Sequence, residues 1–154
     1  MSKMATENQE RFVKESILEV QNITKEVNSP EGVLTILKNI SLTINPCDVT
    51  SIVGPSGSGK TTLLAIMAGL DLPTTGTINL LGEEITRMNE DRRAQVRSKN
   101  VGFVFQSFHL LPRLTALDNI MLPLEILGDN QAREKSMSAL SQMGLDKRAL
   151  HLPN

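Results

Sequence analysis

The stretch GPSGSGKTTLL, from Gly54 to Leu64, constrains the fold more than any other part of the chain. It holds three glycines and two serines ahead of a lysine and two threonines, then turns apolar. The run before it, VTSIV (49–53), reads as a short buried strand. The run after it, TTLLAIMAGL, has helical spacing and good helix formers, and Gly69 supplies a C-terminal stop. A flexible linker would not sit between a buried strand and an amphipathic helix. Glycine at this point permits positive φ angles and lets backbone approach a ligand closely.

The loop matches G-x-x-x-x-G-K-[ST], with Gly54, Gly59, Lys60 and Thr61 at the fixed positions. Backbone N–H groups can surround a compact cluster of negative oxygens only where no Cβ intrudes. The helix starting near Gly59 adds free amides and the positive end of its dipole. The expected ligand is a nucleoside triphosphate with Mg²⁺, and the motif alone leaves many NTPases open. The nucleotide-binding set is Gly54, Pro55, Ser56, Gly57, Ser58, Gly59, Lys60, Thr61 and Thr62. Lys60 bridges the β- and γ-phosphates as a point charge, Thr61 ligates Mg²⁺ through its hydroxyl, and Thr62 meets the α-phosphate.

Around the loop the pattern is β-rich first and helical last. Residues 1–15 read as a polar extension. SILEVQNITKEV (16–27) and VLTILKNISLTI (33–44) read as strands either side of the turn cluster NSPEG. TINLLG follows as a strand, EEITRMNEDRRAQVRSK as a polar and partly helical stretch, and VGFVFQ (101–106) as a second buried strand. Thr115 and Asp118 match a capping box at a helix start. Leu117, Ile120, Met121 and Leu124 fall on one face of that helix, which Pro123 should kink or shorten and Gly128 should end. A further helix over 131–143 should bury Ala132, Ala139, Leu140 and Met143 and stop at Gly144. This order predicts a parallel α/β core with an antiparallel and a helical attachment.

Composition narrows the function classes. A net charge of -1 gives no bulk attraction to nucleic acid or anionic membrane. The single Cys47 excludes an internal disulfide, and His109 and His151 lack partners for a structural zinc site. No apolar run approaches the roughly 18 residues of a membrane span, and the first residues have no signal-peptide h-region.

The block VGFVFQSFHLLPRLTALDNIMLPL places Gln106 after a buried strand. From chemistry alone a surface glutamine is the better reading, ahead of a Mg²⁺ or water ligand. With GPSGSGKTTLL and GLDLPTTGTINLLGEEI, however, the block resembles the nucleotide-binding subunit of ABC transporters. It is most similar to the lipoprotein-release and macrolide-export branch (LolD-, MacB- and YbbA-like). The resemblance runs from about Ile17 to the last residue. It implies a P-loop NTPase, ABC-type α/β core, incomplete, with an N-terminal antiparallel β subdomain. Residues 16–154 would form a partial nucleotide-binding domain, its helical subdomain over about 107–150. It implies that Gln106 contacts Mg²⁺ and the attacking water and senses a membrane partner. It also implies transmembrane permease subunits as partners, a second nucleotide-binding subunit in a dimer, and no nucleic acid. The protein would lie in the cytoplasm, held through the permease at the inner face of the plasma membrane.

Two departures shape the expectations. The adenine-stacking aromatic of the family falls at Val27, and the chain has no Trp or Tyr. That predicts only a modest preference for ATP over GTP. The LSGGQ signature, Walker B aspartate, adjacent glutamate, D-loop and switch histidine do not occur in these residues. In the resembled core, strands from later sequence lie between the two buried strands. Without them both should have unpaired edges and uncovered apolar faces. The intact protein is thus expected to be an ATPase, and residues 1–154 alone to bind nucleotide without turnover. A soluble ABC ATPase acting on nucleic acid or ribosomes fits the balanced charge poorly.

Overall fold

The structure, a computed structural model, describes residues 16–153; the polar stretch 1–15 lies outside the described residues. The chain divides into two compact units between Phe103 and Val104.

In the first unit, β1 (Leu18–Ser29) and β2 (Gly32–Ile44) form an antiparallel hairpin closed at Ser29 and Gly32. The Ser29 hydroxyl donates to the Gly32 carbonyl at 2.9 Å and accepts from the Glu31 amide at 3.3 Å, which fixes the turn. β3 (Thr75–Leu80) pairs with the other side of β1, and the short β4 (Glu83–Glu84) completes a sheet of order β2-β1-β3-β4. Period-two alternation puts Leu18 and Val20 of β1 beside Leu80 and Ile78 of β3 on one face. Helix α1 (Lys60–Met67) covers that core with Leu63, Ile66 and Met67, and α2 (Glu90–Asn100) adds Val96. Ile23 and Ile66 are completely buried, and each contributes about 2 kcal/mol relative to exposure. Asn89 caps α2 by accepting the Arg92 amide at 2.9 Å.

The two expected buried strands are not strands here. Residues 49–53 and 101–106 have no regular secondary structure. Val49 is 100% exposed, Val53 90% and Val104 96%. Apolar residues become a buried strand only when neighbours pair with their backbone and cover both faces. Among the described residues no strand pairs with either segment.

The second unit is a helical hairpin of α3 (Ala116–Ile126) and α4 (Ala132–Gln142). The expected capping box closes α3: Thr115 Oγ1 accepts the Asp118 amide at 3.1 Å, and Asp118 accepts the Thr115 amide at 3.3 Å. Leu117 is buried, while Ile120, Met121 and Leu124 are half-buried. Pro123 does not end the helix, which runs on to Ile126 and stops at Gly128 with φ 74. The buried face of α4 needs correction. Ala132, Ser136 and Leu140 are buried at i, i+4, i+8 spacing, whereas Ala139 is exposed and Met143 is 76% exposed. Ser136 enters the core because its hydroxyl donates to the Ala132 carbonyl at 2.7 Å and leaves no polar group unmet.

Candidate functional site

Residues Gly54 to Thr62 form one continuous loop and helix start in the first unit. Gly59 is the N-cap of α1 and has φ 83, the left-handed region that a side chain disfavours. It also lies against β2. A Cβ at Gly59 would meet the Leu37 side chain at 2.8 Å and the Ile36 carbonyl oxygen at 3.0 Å. Glycine therefore serves two demands at once, the turn into the helix and the close approach to the sheet. The Leu63 amide donates to the Gly59 carbonyl at 2.8 Å and starts the helical ladder.

Lys60 folds back over the loop. Its Nζ donates to the Gly54 carbonyl at 2.9 Å and the Pro55 carbonyl at 2.6 Å, and lies 3.5 Å from the Ser58 hydroxyl. The Ser58 amide donates to the Pro55 carbonyl at 3.3 Å, so the loop curls around the ammonium group. Neutral carbonyl and hydroxyl oxygens surround the ammonium, and among the described residues no ion pair involves Lys60. The first turn of α1 carries no acidic residue either. The positive charge and the helix dipole thus act together at the mouth of the loop. Ser56 and Gly57 form the exposed tip, Thr61 is exposed on the first turn, and Thr62 is half-buried.

The other end of α1 is tied down by charge. Arg97 Nη1 donates to the Gly69 carbonyl at 2.6 Å, and Lys25 pairs with Asp71 at 2.8 Å. Hydrogen bonds from Arg97 and then Arg93 hold the Glu90 carboxyl below its ordinary range. Burial raises the Asp71 carboxyl, but the Lys25 and Leu72 hydrogen bonds outweigh it and the net shift is downward. These cations lie at the negative end of the helix whose positive end is the loop. They went unread in the sequence, where the mixed charges of 83–99 look like a solvated face.

Gln106 belongs to the second unit and is exposed. Its neighbours are organised by His109, which the sequence suggests is an ordinary loop residue. The His109 ring stacks on Phe105 with centroids 4.4 Å apart, and its Nε2 is 2.9 Å from the Ser107 hydroxyl. Val27 is half-buried opposite Leu34 on the β1–β2 hairpin, so the position expected to carry an aromatic presents an aliphatic pair. Among the described residues no cluster of three or more His, Cys, Asp or Glu could hold a metal, and no helix is long and apolar enough to cross a membrane.

The ABC transporter family pattern matches residues 37–153. The chain belongs to the ABC transporter family. This ABC transporter chain is 45% identical over 141 residues to the uncharacterized ABC transporter ATP-binding protein YbbA of Escherichia coli K12, covering 90% of the chain and 62% of YbbA. It is 47% identical over 140 residues to the lipoprotein-releasing system ATP-binding protein LolD of Bacteroides thetaiotaomicron, again covering 90% of the chain and 62% of the relative. The macrolide export ATP-binding/permease protein MacB of Syntrophobacter fumaroxidans is 40% identical over 142 residues, 90% of this chain and 19% of MacB. Among solved structures, the dimeric post-hydrolysis state of the ATP-binding cassette MJ0796 with ADP and Pi matches with a TM-score of 0.82. Its identity is 35%, over 89% of this chain and 62% of that one. The ABC transporter chain therefore spans less than two thirds of the length of YbbA, LolD and MJ0796.

Proposed function

We propose that this chain is the nucleotide-binding part of an ABC transporter ATPase of the LolD and MacB kind, taking MgATP at the Gly54–Thr62 loop. The observation that carries the reading is the loop curled around Lys60 and seated on β2 through Gly59. The backbone N–H groups of the loop, which Pro55 alone lacks, donate to phosphate oxygens, and Lys60 exchanges its carbonyl partners for the β- and γ-phosphates. Thr61 supplies a hydroxyl ligand for Mg²⁺ and Thr62 a donor for the α-phosphate. Gln106 contributes an amide oxygen to Mg²⁺ and the attacking water. These groups bind, orient and neutralise phosphate. None of them is a carboxylate, so bond cleavage is not assigned to them.

Three names support the wider role: a lipoprotein-releasing system, a macrolide exporter with its own permease, and a dimeric cassette. On that reading the protein pairs with a second nucleotide-binding subunit. It couples hydrolysis to transmembrane permease subunits from the cytoplasmic face of the membrane. Titrating MgATP while following backbone amide resonances tests the site. Saturable shifts concentrated at Gly54–Thr62 are expected; shifts scattered evenly over the chain would reject this loop as the phosphate site.

A further inference from the structure

Gln106 lies between two residues that a single side chain holds. The His109 ring is stacked on Phe105 with an interplanar angle of 17° and centroids 4.4 Å apart, and its Nε2 is 2.9 Å from Ser107 Oγ. The residue on each side of Gln106 is thus attached to the same imidazole. His109 itself has φ 50, the left-handed region. A non-glycine residue stays in that region when its surroundings over-determine it, and such outliers concentrate at functional sites.

The far end of the segment is also anchored. Asn119 of α3 accepts the Leu111 amide at 2.8 Å, and its Nδ2 lies 3.2 Å from the Leu111 carbonyl and 3.0 Å from that of Leu114. Asn119 thus holds the segment at Leu111 and Leu114, and His109 holds the two flanks of Gln106. The stretch between these two anchors has no helix or strand of its own.

We propose that His109 is the positioning residue for Gln106. Its ring, stacked on Phe105, fixes the turn that presents the glutamine amide. What that amide then contacts rests on the role given to Gln106 above; the positioning does not.

The test is the ¹⁵N order parameter of the Gln106 amide in the chain and in three variants. His109→Gly accepts the left-handed backbone and removes the ring. Phe105→Leu removes the stack and leaves the turn untouched. His109→Phe keeps a flat ring. A value near about 0.85 is expected in the parent and in His109→Phe, falling below about 0.6 in the other two. Unchanged Leu117 and Leu140 amides verify that the helical hairpin stays folded. A Gln106 amide as ordered in His109→Gly and Phe105→Leu as in the parent overturns the proposal, because backbone conformation alone would then set the turn. Broadening of the Gln106 side-chain amide by Mn²⁺ with ADP tests the metal contact separately, whichever way the order parameters fall.

Discussion

Replacing Gly59 by alanine should cost more than replacing Gly57, although both glycines have nearly the same backbone angle, φ 83 and φ 79. A left-handed alanine costs about 1–2 kcal/mol at either position. At Gly57 nothing lies within 4 Å of the added Cβ, so that is the whole effect. At Gly59 the methyl would meet Leu37 Cδ2 at 2.8 Å, Ile36 O at 3.0 Å and Ile36 Cγ2 at 3.2 Å. The Leu37 methyl can turn away, but the Ile36 carbonyl belongs to β2 and moves only with the strand. Overpacking of that kind adds about 1–3 kcal/mol. Gly59→Ala is thus expected to cost about 2–5 kcal/mol, a surplus over Gly57→Ala worth about 5- to 150-fold in an opening equilibrium. The Leu63 amide, bonded to the Gly59 carbonyl, reports that opening by native-state hydrogen exchange. Equal acceleration at Leu63 in the two variants would refute the seating of the loop on β2.

Thr115→Ala removes the acceptor of the Asp118 amide and should destabilise the helical hairpin by about 1 kcal/mol in urea unfolding, with Thr115→Ser close to the parent. Glu90 has its carboxyl lowered by Arg97 and then Arg93. Its contribution is therefore full above the ordinary value of 4.5 and is lost as the pH falls below it. The difference in Tm between the parent and Glu90→Gln should be constant near neutrality and shrink as the pH falls below 4.5; a difference that grows or stays unchanged on acidification contradicts the assignment. With valine at position 27, ATP and GTP should bind within a few-fold of each other. Val27→Tyr should tighten ATP by about two- to tenfold through stacking, whereas a strong ATP preference in the parent would sink the idea.

What the sequence revealed, and what it hid, follows the range of each interaction. The loop was legible because its demands are local: Gly57 and Gly59 need positive φ, and Lys60 sits beside them. The Thr115–Asp118 box closes within four residues and was equally readable. The segments 49–53 and 101–106 misled because apolar, β-branched composition signals a buried strand only when partners arrive from elsewhere in sequence. On α4, apolarity pointed to Ala139 and Met143, while Ser136 entered the core by bonding its own helix. The Arg93–Glu90–Arg97 cluster read as solvated charge because nothing in its spacing reveals the Gly69 carbonyl that Arg97 reaches across 28 positions. His109 escaped notice for a related reason: its stack on Phe105 accompanies a left-handed turn that histidine does not advertise.

Calorimetric titration of the chain and of Lys60→Met with MgATP reads phosphate binding at the Gly54–Thr62 loop. Binding to the parent is expected to be saturable and dependent on Mg²⁺, and at least about tenfold weaker in the variant, since a charge-assisted phosphate contact is worth about 1.5–3 kcal/mol. Equal affinity for the parent and Lys60→Met, with the Leu63 amide equally protected in both, would contradict phosphate binding at this loop.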